Sequence, residues 1–145
     1  ITKLGWDDTV SLQVGDAMKP PFEDGRFDAA TISFGIRNVI DVSESLSEMA
    51  RVLKPGGKLL VLECSLPRNV VLKKLYLFYF RHILPLIGGM ISGDSYAYNY
   101  LNKTVETFPC GEAFNDLMRG AGFTEVKANE LTFGIATIYE GVVPA

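Results

Sequence analysis

Arg37 and Asn38 are the residues whose types and place could most directly do chemistry. They follow Phe27-Asp-Ala-Ala-Thr-Ile-Ser33, a mostly apolar run with β-branched residues at Thr31 and Ile32 and no proline. Such a run predicts a strand buried on both faces, as in a parallel sheet covered by helices. In open α/β sheets the ligand crevice lies beyond the carboxyl ends of the strands. A fixed positive charge and a hydrogen-bonding amide at that place can bind and polarise a polar ligand. A plainer reading stands beside it, in which Arg37 pairs with a surface carboxylate and Asn38 makes a turn. Asp16, which follows Gly15, is a second candidate. Its carboxylate can accept from an amine or hydroxyl of a ligand, or it can close an Asx-turn or cap a helix.

These residues need elements to hold them. Thr9-Val-Ser-Leu-Gln-Val14 alternates apolar and polar side chains and predicts a strand, whereas Ile1 to Asp8 shows no element of its own. Gly15 to Gly25, with Pro20-Pro21 inside it, reads as loop. After the central strand, Asp41 is placed to cap a helix running to about Leu53, with Glu44 three residues on as its capping-box partner. Val42, Leu46, Met49, Ala50 and Leu53 form one apolar stripe on that helix. Lys54-Pro-Gly-Gly57 then stops it, and Lys58 to Glu63 predicts another buried strand. Strand, loop, strand, helix, strand is the alternation of an α/β fold.

Val70 to Ile91 is unlike the rest. Leu72, Leu75, Tyr76, Leu77, Phe78, Tyr79, Phe80, Ile83 and Leu84 give a wide apolar face, with Lys73, Lys74, Arg81 and His82 on a narrow polar one. Arg81, Pro85 and Gly88-Gly89 argue against a spanning helix, which needs roughly 20 predominantly apolar residues. A lid over an apolar pocket, or an amphipathic helix lying on a surface, fits better. His82 reads as solvated. Ser95 to Leu101 places tyrosines at alternate positions, so strand and helix are both open, and the flanking Lys-Thr-Val-Glu favours helix. A second amphipathic helix runs from Gly111 or Glu112 to Arg119. Glu125–Leu131 and Ile135–Val142 predict two strands, joined through Thr132-Phe-Gly134 as a hairpin.

Composition narrows the field. The chain has 145 residues, enough for one domain, with 48% hydrophobic and 21% charged residues. A net charge of −3 and a pI near 5.1 argue against nucleic acid as a partner. Cys64 and Cys110 lack metal-type or CxxC spacing and read as free thiols in a reducing compartment, with one disulfide as the other reading. A single histidine leaves little room for a histidine metal site or triad, so no metal is expected.

The motifs together resemble a known family. They are Gly15-Asp16-Ala17, Phe27-Asp28, Ser33-Phe-Gly-Ile-Arg-Asn38, Ala50-Arg-Val-Leu-Lys-Pro-Gly-Gly57, Ser95-Tyr-Ala-Tyr98, Phe108-Pro109, Ala121-Gly-Phe123 and Leu131-Thr-Phe-Gly-Ile135. The chain is similar to the class I methyltransferases that use S-adenosylmethionine, and more closely to the ubiquinone/menaquinone biosynthesis C-methyltransferases. Lys-Pro-Gly-Gly before a strand says only class I; the Ser-Phe-Gly-Ile-Arg-Asn run is far more specific. The resemblance implies an α/β Rossmann-like sheet over residues 1–145, with a helical lid at about 68–108 and a C-terminal β-hairpin. It implies that Asp16 holds the adenine amino group, that Ala17 offers backbone to the ring, and that Ser33 contacts the cofactor. Arg37 and Asn38 would form the methyl-transfer site, and Phe34 and Tyr98 would contact the substrate. Leu72 to Tyr100 would cover a prenylated benzoquinol or naphthoquinol.

The sequence departs from that pattern at one point. The family's first strand, its glycine-rich turn around the methionine part of the cofactor, and its second strand are not among these residues. Gly56-Gly57 follows a helix and precedes a strand, the reverse of a strand-turn-helix cradle. The resemblance therefore implies an incomplete sheet, corresponding to the C-terminal part of such an enzyme and inactive by itself. The central strand would be left with an open edge, covered by a second copy or by upstream residues. Cytoplasmic localisation follows, with peripheral contact at the inner face of the membrane. Two other functions fit the same residues: a class I methyltransferase for another hydrophobic small molecule, and a non-catalytic dimerising or membrane-associated module.

Overall fold

Strand β1 (Phe27–Ser33) and its parallel partner β2 (Leu53–Cys64) form the centre of the computed structural model, which describes residues 9–92 and 95–145. Helix α1 (Val42–Val52) connects them, and the Asp41 carboxylate accepts from Glu44 N at 3.0 Å to cap it. The ladder pairs Phe27 with Leu53 and next pairs Ala29 with Lys58, so Lys54-Pro-Gly-Gly57 is looped out of it. Gly57 is needed there, because a β-carbon would lie 2.7 Å from the Lys54 carbonyl oxygen.

Strand β4 (Ala136–Val142) lies antiparallel on the other side of β2, and β3 (Thr124–Leu131) lies antiparallel beside it. The order is β1-β2-β4-β3, with the predicted hairpin closed by a single tight turn over Thr132–Gly134. Alternate residues of β2 and β4 (Leu59, Val61, Tyr139) face α1 and α5 (Glu112–Gly120), where Leu46, Phe114 and Met118 are fully buried. Gly141 lets α5 sit close, since a β-carbon there would meet Met118 Cε at 2.8 Å. The opposite face is barer: a shallow depression of about 340 Å³ lies over Thr31, Ser33, Leu60, Leu62, Ile138 and Glu140. Among the described residues β1 pairs only with β2, so its outer edge is open.

The predicted strand over Thr9–Val14 is not there. That stretch runs exposed and pairs with no strand among the described residues, and Val14 is 99% exposed. Alternation makes a strand only where a neighbour completes the ladder, and the open edge of β1 is not bridged to it. Ile1 to Asp8 lies outside the described residues.

The unusual apolar stretch is helical throughout. Helix α2 (Val70–Phe78) is capped by Asn69, whose Oδ1 accepts from Val71 N and Leu72 N. It passes through a π-turn at Tyr79–Ile83 into α3 (Leu84–Ser92), and α4 (Ser95–Thr107) packs back against α3. The π-turn lets Leu84 N bond to the Tyr79 carbonyl, and the Phe80 carbonyl accepts from Asn102 Nδ2 of α4 at 2.6 Å. Lys73, Lys74, Arg81 and His82 are all exposed. Arg81 pairs with Glu106 of α4, and the His82 ring stands 5.2 Å from that of Phe78. Both cysteines are free.

Candidate active site

At the carboxyl end of β1, Phe34 N donates the last ladder bond to the Leu62 carbonyl, at 2.8 Å. Phe34 itself takes φ +52, a left-handed conformation that a bulky residue adopts at some cost. This turns the chain sharply into the short helical turn Ile36–Asn38, so Arg37 folds back over the end of β2. There it meets Glu63. Glu63 lies two residues beyond Val61 and four beyond Leu59, on the covered face, and its side chain has 0% exposure. Arg37 Nη1 donates to Glu63 Oε1 at 2.7 Å and to the Phe34 carbonyl at 2.6 Å. Glu63 Oε1 also accepts from Cys64 N at 2.8 Å. Only 11% of the Arg37 side chain is exposed, and its Nε is buried without a partner.

This pair answers the ambiguity over Arg37: it binds a carboxylate, but a buried one. Removing either partner of such a pair strands a charge in the interior, at a cost of about 3–5 kcal/mol. The orphaned Nε–H costs a further 1–3 kcal/mol or so. Its neighbours are uncharged at neutral pH. Burial, and secondarily the Glu63 charge, push the Cys64 thiol up; burial, and then Cys64, push Tyr76 up to about 12.

Asn38 is exposed beside it, and its Oδ1 accepts from Tyr100 Oη of α4 at 3.3 Å. The structure thus brings α4 down onto the Arg37–Asn38 turn. Tyr98, the tyrosine singled out from sequence, points elsewhere, against Gly88 of α3, where a β-carbon would lie 2.2 Å from its Cζ. Residues two apart on a helix are about 200° apart, so one faces α3 and the other faces the turn.

Asp16 makes the plain turn: its Oδ1 accepts from Met18 N at 2.9 Å, and the side chain remains exposed. The Ala17 carbonyl accepts from Ser45 Oγ of α1 at 3.3 Å, which ties this loop to the helix. Asp16 and Ala17, with Gly15, Pro20, Pro21 and Phe22, line a shallow cleft of about 220 Å³. An exposed carboxylate beside an apolar shelf can accept from an adenine amino group while the shelf packs on the ring. Ser33 is exposed at the end of β1. These groups suit the adenine end of a nucleoside cofactor. Gly56 and Gly57 hold Val143 by two backbone bonds of 2.9 Å and are occupied structurally.

Two residues of this site escaped the sequence reading, Glu63 and Tyr100. Glu63 was detectable in principle, because strand periodicity puts it on the face of Leu59 and Val61, where a carboxylate needs a cation. Tyr100 carries no signal apart from the helical phase of α4.

A parallel β1–α1–β2 unit extended by an antiparallel hairpin, with polar groups at the strand ends, is the architecture of class I methyltransferases. A methyltransferase of Thermotoga maritima that depends on S-adenosylmethionine superposes with TM-score 0.63 at 24% identity, over 97% of this chain and 68% of that one. The [4+2]-cyclase SpnF has the same fold at TM-score 0.67 and 18% identity, over 99% of this chain and 60% of that one. The chain belongs to the ubiE/COQ5 methyltransferase family, whose pattern matches residues 2–143. The ubiquinone/menaquinone biosynthesis C-methyltransferase UbiE of Geotalea daltonii is 50% identical over 132 residues, 91% of this chain and 56% of that protein. Demethylmenaquinone methyltransferase of Thermus thermophilus is 48% identical over 129 residues, 89% of this chain and 58% of that protein. The chain thus spans little more than half the length of these relatives.

Proposed function

We propose that the intact protein methylates a ring carbon of a prenylated benzoquinol or naphthoquinol, with S-adenosylmethionine as donor. The observation that carries this reading is Arg37, set on a buried carboxylate at the carboxyl ends of β1 and β2 in a chain of this family. Asp16, Ala17 and Ser33 would hold the cofactor, which when bound supplies an electrophilic sulfonium methyl. Arg37 stabilises negative charge on the ring oxygen next to the attacked carbon, which raises the carbon's nucleophilicity. Its guanidinium stays protonated, so the ring proton leaves to water. Asn38, braced by Tyr100, fixes the ring in place. Holding the reactants in line can supply about 7–11 kcal/mol of the barrier in favourable cases.

Phe34, exposed beside the Arg37–Asn38 turn, is assigned to the acceptor. Tyr98, packed against Gly88, would serve it only as part of the cover that Val70 to Thr107 forms over its ring and tail. The apolar side chains of Leu75, Phe78, Leu86 and Met90 are exposed on that cover. Such patches mark binding surfaces, and here they suit both a prenyl chain and the cytoplasmic face of the bilayer that stores it. No helix among the described residues is long and apolar enough to cross a membrane. The open edge of β1 suits pairing with a second copy or with upstream residues of the protein.

The test is quinol methylation by the intact protein. Arg37→Ala should lower turnover about 100-fold, the scale of a lost oxyanion donor, while cofactor affinity stays nearly unchanged. Asp16→Ala should mainly weaken cofactor binding in a titration. An unchanged turnover number in Arg37→Ala returns Arg37 to a structural role. Equal cofactor affinity in Asp16→Ala removes Asp16 from the site.

A further inference from the structure

The geometry points to Glu63 as a positioning residue: it fixes the Arg37 guanidinium in one orientation for the transfer step. This rests on the function proposed above. Arg37 has a long side chain on a three-residue turn, and nothing in that turn would by itself hold the guanidinium still. Glu63 does so from β2, one of the two strands of the sheet paired on both sides, with β1 on one side and β4 on the other. Its Oε1 is itself fixed by Cys64 N, so the carboxylate has little freedom to follow a moving arginine. The Phe34 carbonyl takes the same Nη1 from the other side. One guanidinium nitrogen is thus clamped by two acceptors, one on β2 and one just past the end of β1, while Nε is buried and makes no bond.

With Nη1 clamped and Nε enclosed, the plane of the whole guanidinium is fixed, and with it the direction in which its outer edge points. The alternative is that Glu63 only neutralises a structural arginine, in which case the whole fork would be expected to find partners. A second consequence follows from charge. Because Glu63 offsets the Arg37 cation in the free protein, the site can hold the arginine buried without an anion bound. Glu63 touches neither acceptor nor donor in this arrangement and acts only through Arg37.

Glu63→Gln tests this in the intact protein, since glutamine keeps the shape and one acceptor oxygen but removes the charge. The turnover number for quinol methylation should fall on the order of 100-fold, the scale of a small misplacement of a catalytic group, with little change in KM for the quinol. In an Arg37→Lys background the same substitution should cost nothing further, because residues that act as a unit are not additive. A purely structural role would lower the rate by the same factor in both backgrounds, and that result would overturn the inference. A direct readout needs no variant of Glu63: the Arg37 Nε–H signal in nitrogen-15 NMR, identified by its loss in Arg37→Lys. It should be resolved and slow to exchange with water in the wild type. A signal averaged with those of exposed arginines would overturn the clamp even if Glu63→Gln failed to fold. Should the wild type methylate no quinol, the proposed function falls, while the Arg37 signal still decides whether Glu63 holds the guanidinium.

Discussion

Two parts of this molecule carry apolar helical faces and use them in opposite ways. Helices α1 and α5 place Leu46, Phe114 and Met118 against the sheet, all three with 0% exposure. Helices α2 and α3 are greasier, yet leave Leu75, Phe78, Leu86 and Met90 facing outward at 58 to 86% exposure. The difference lies in what each helix has to pack on. α1 and α5 sit on β2 and β4, whose alternate residues offer a continuous apolar floor. α3 packs on α4 and α2 meets chiefly the π-turn that follows it, so much of each has no protein beneath it. Hydrophobicity in the first region stabilises the domain; in the second it is free to meet something else.

That contrast can be broken at its strong end first. Phe114→Ala opens a hole between α5 and Tyr139, whose ring lies 4.5 Å from that of Phe114. The expected loss is about 3–5 kcal/mol in denaturant unfolding, and a loss below about 1 kcal/mol would mean that α5 repacks freely. Asn102→Leu comes next, because it leaves the Phe80 carbonyl of the π-turn unpaired; a cost of about 1–3 kcal/mol is expected. An unchanged midpoint would show that the π-turn does not depend on α4. Asp41→Ala removes the cap of α1 and should cost about 1 kcal/mol, read from the same unfolding curves. Smallest of all on stability is Phe78→Asp, with a shift within about 0.5 kcal/mol. The same variant should abolish flotation with anionic lipid vesicles, so stability and surface binding would separate. Flotation unaffected by Phe78→Asp and Leu75→Asp together would take the membrane out of the proposal.

The sequence made the covered region readable and the exposed one only in outline. β1 as a strand, the Asp41 cap, the stop at Lys54–Gly57 and the C-terminal hairpin all follow from local signals that tertiary packing did not overrule. But β1 is not buried on both faces as its composition predicts: Thr31 and Ser33 lie exposed on the bare face of the sheet. Thr9–Val14 misled because alternation is necessary for an edge strand but does not supply its partner. Arg37 and Asn38 were visible as a pair at a strand end, whereas the carboxylate under Arg37 comes from 26 residues away. Tyr98 and Tyr100 were indistinguishable until the phase of α4 was known. The π-turn was hidden for a similar reason: what stabilises it, Asn102, stands 22 residues from Phe80.

That π-turn makes the number of residues in Val70–Ser92 as consequential as their kinds. It accommodates one residue more than an α-helix would, and each residue turns a helix by about 100°. Deleting one residue between Tyr79 and Ile83 would restore regular winding with α3 in the same phase, whereas inserting one would exceed what the turn absorbs and rotate all of α3 by about that angle. Gly88 would then swing out from under Tyr98, and Ile87 would arrive where even a β-carbon cannot fit. A run that tolerates many apolar exchanges would reject an added residue, so insertion scanning, more than alanine scanning, is the way to find its limits.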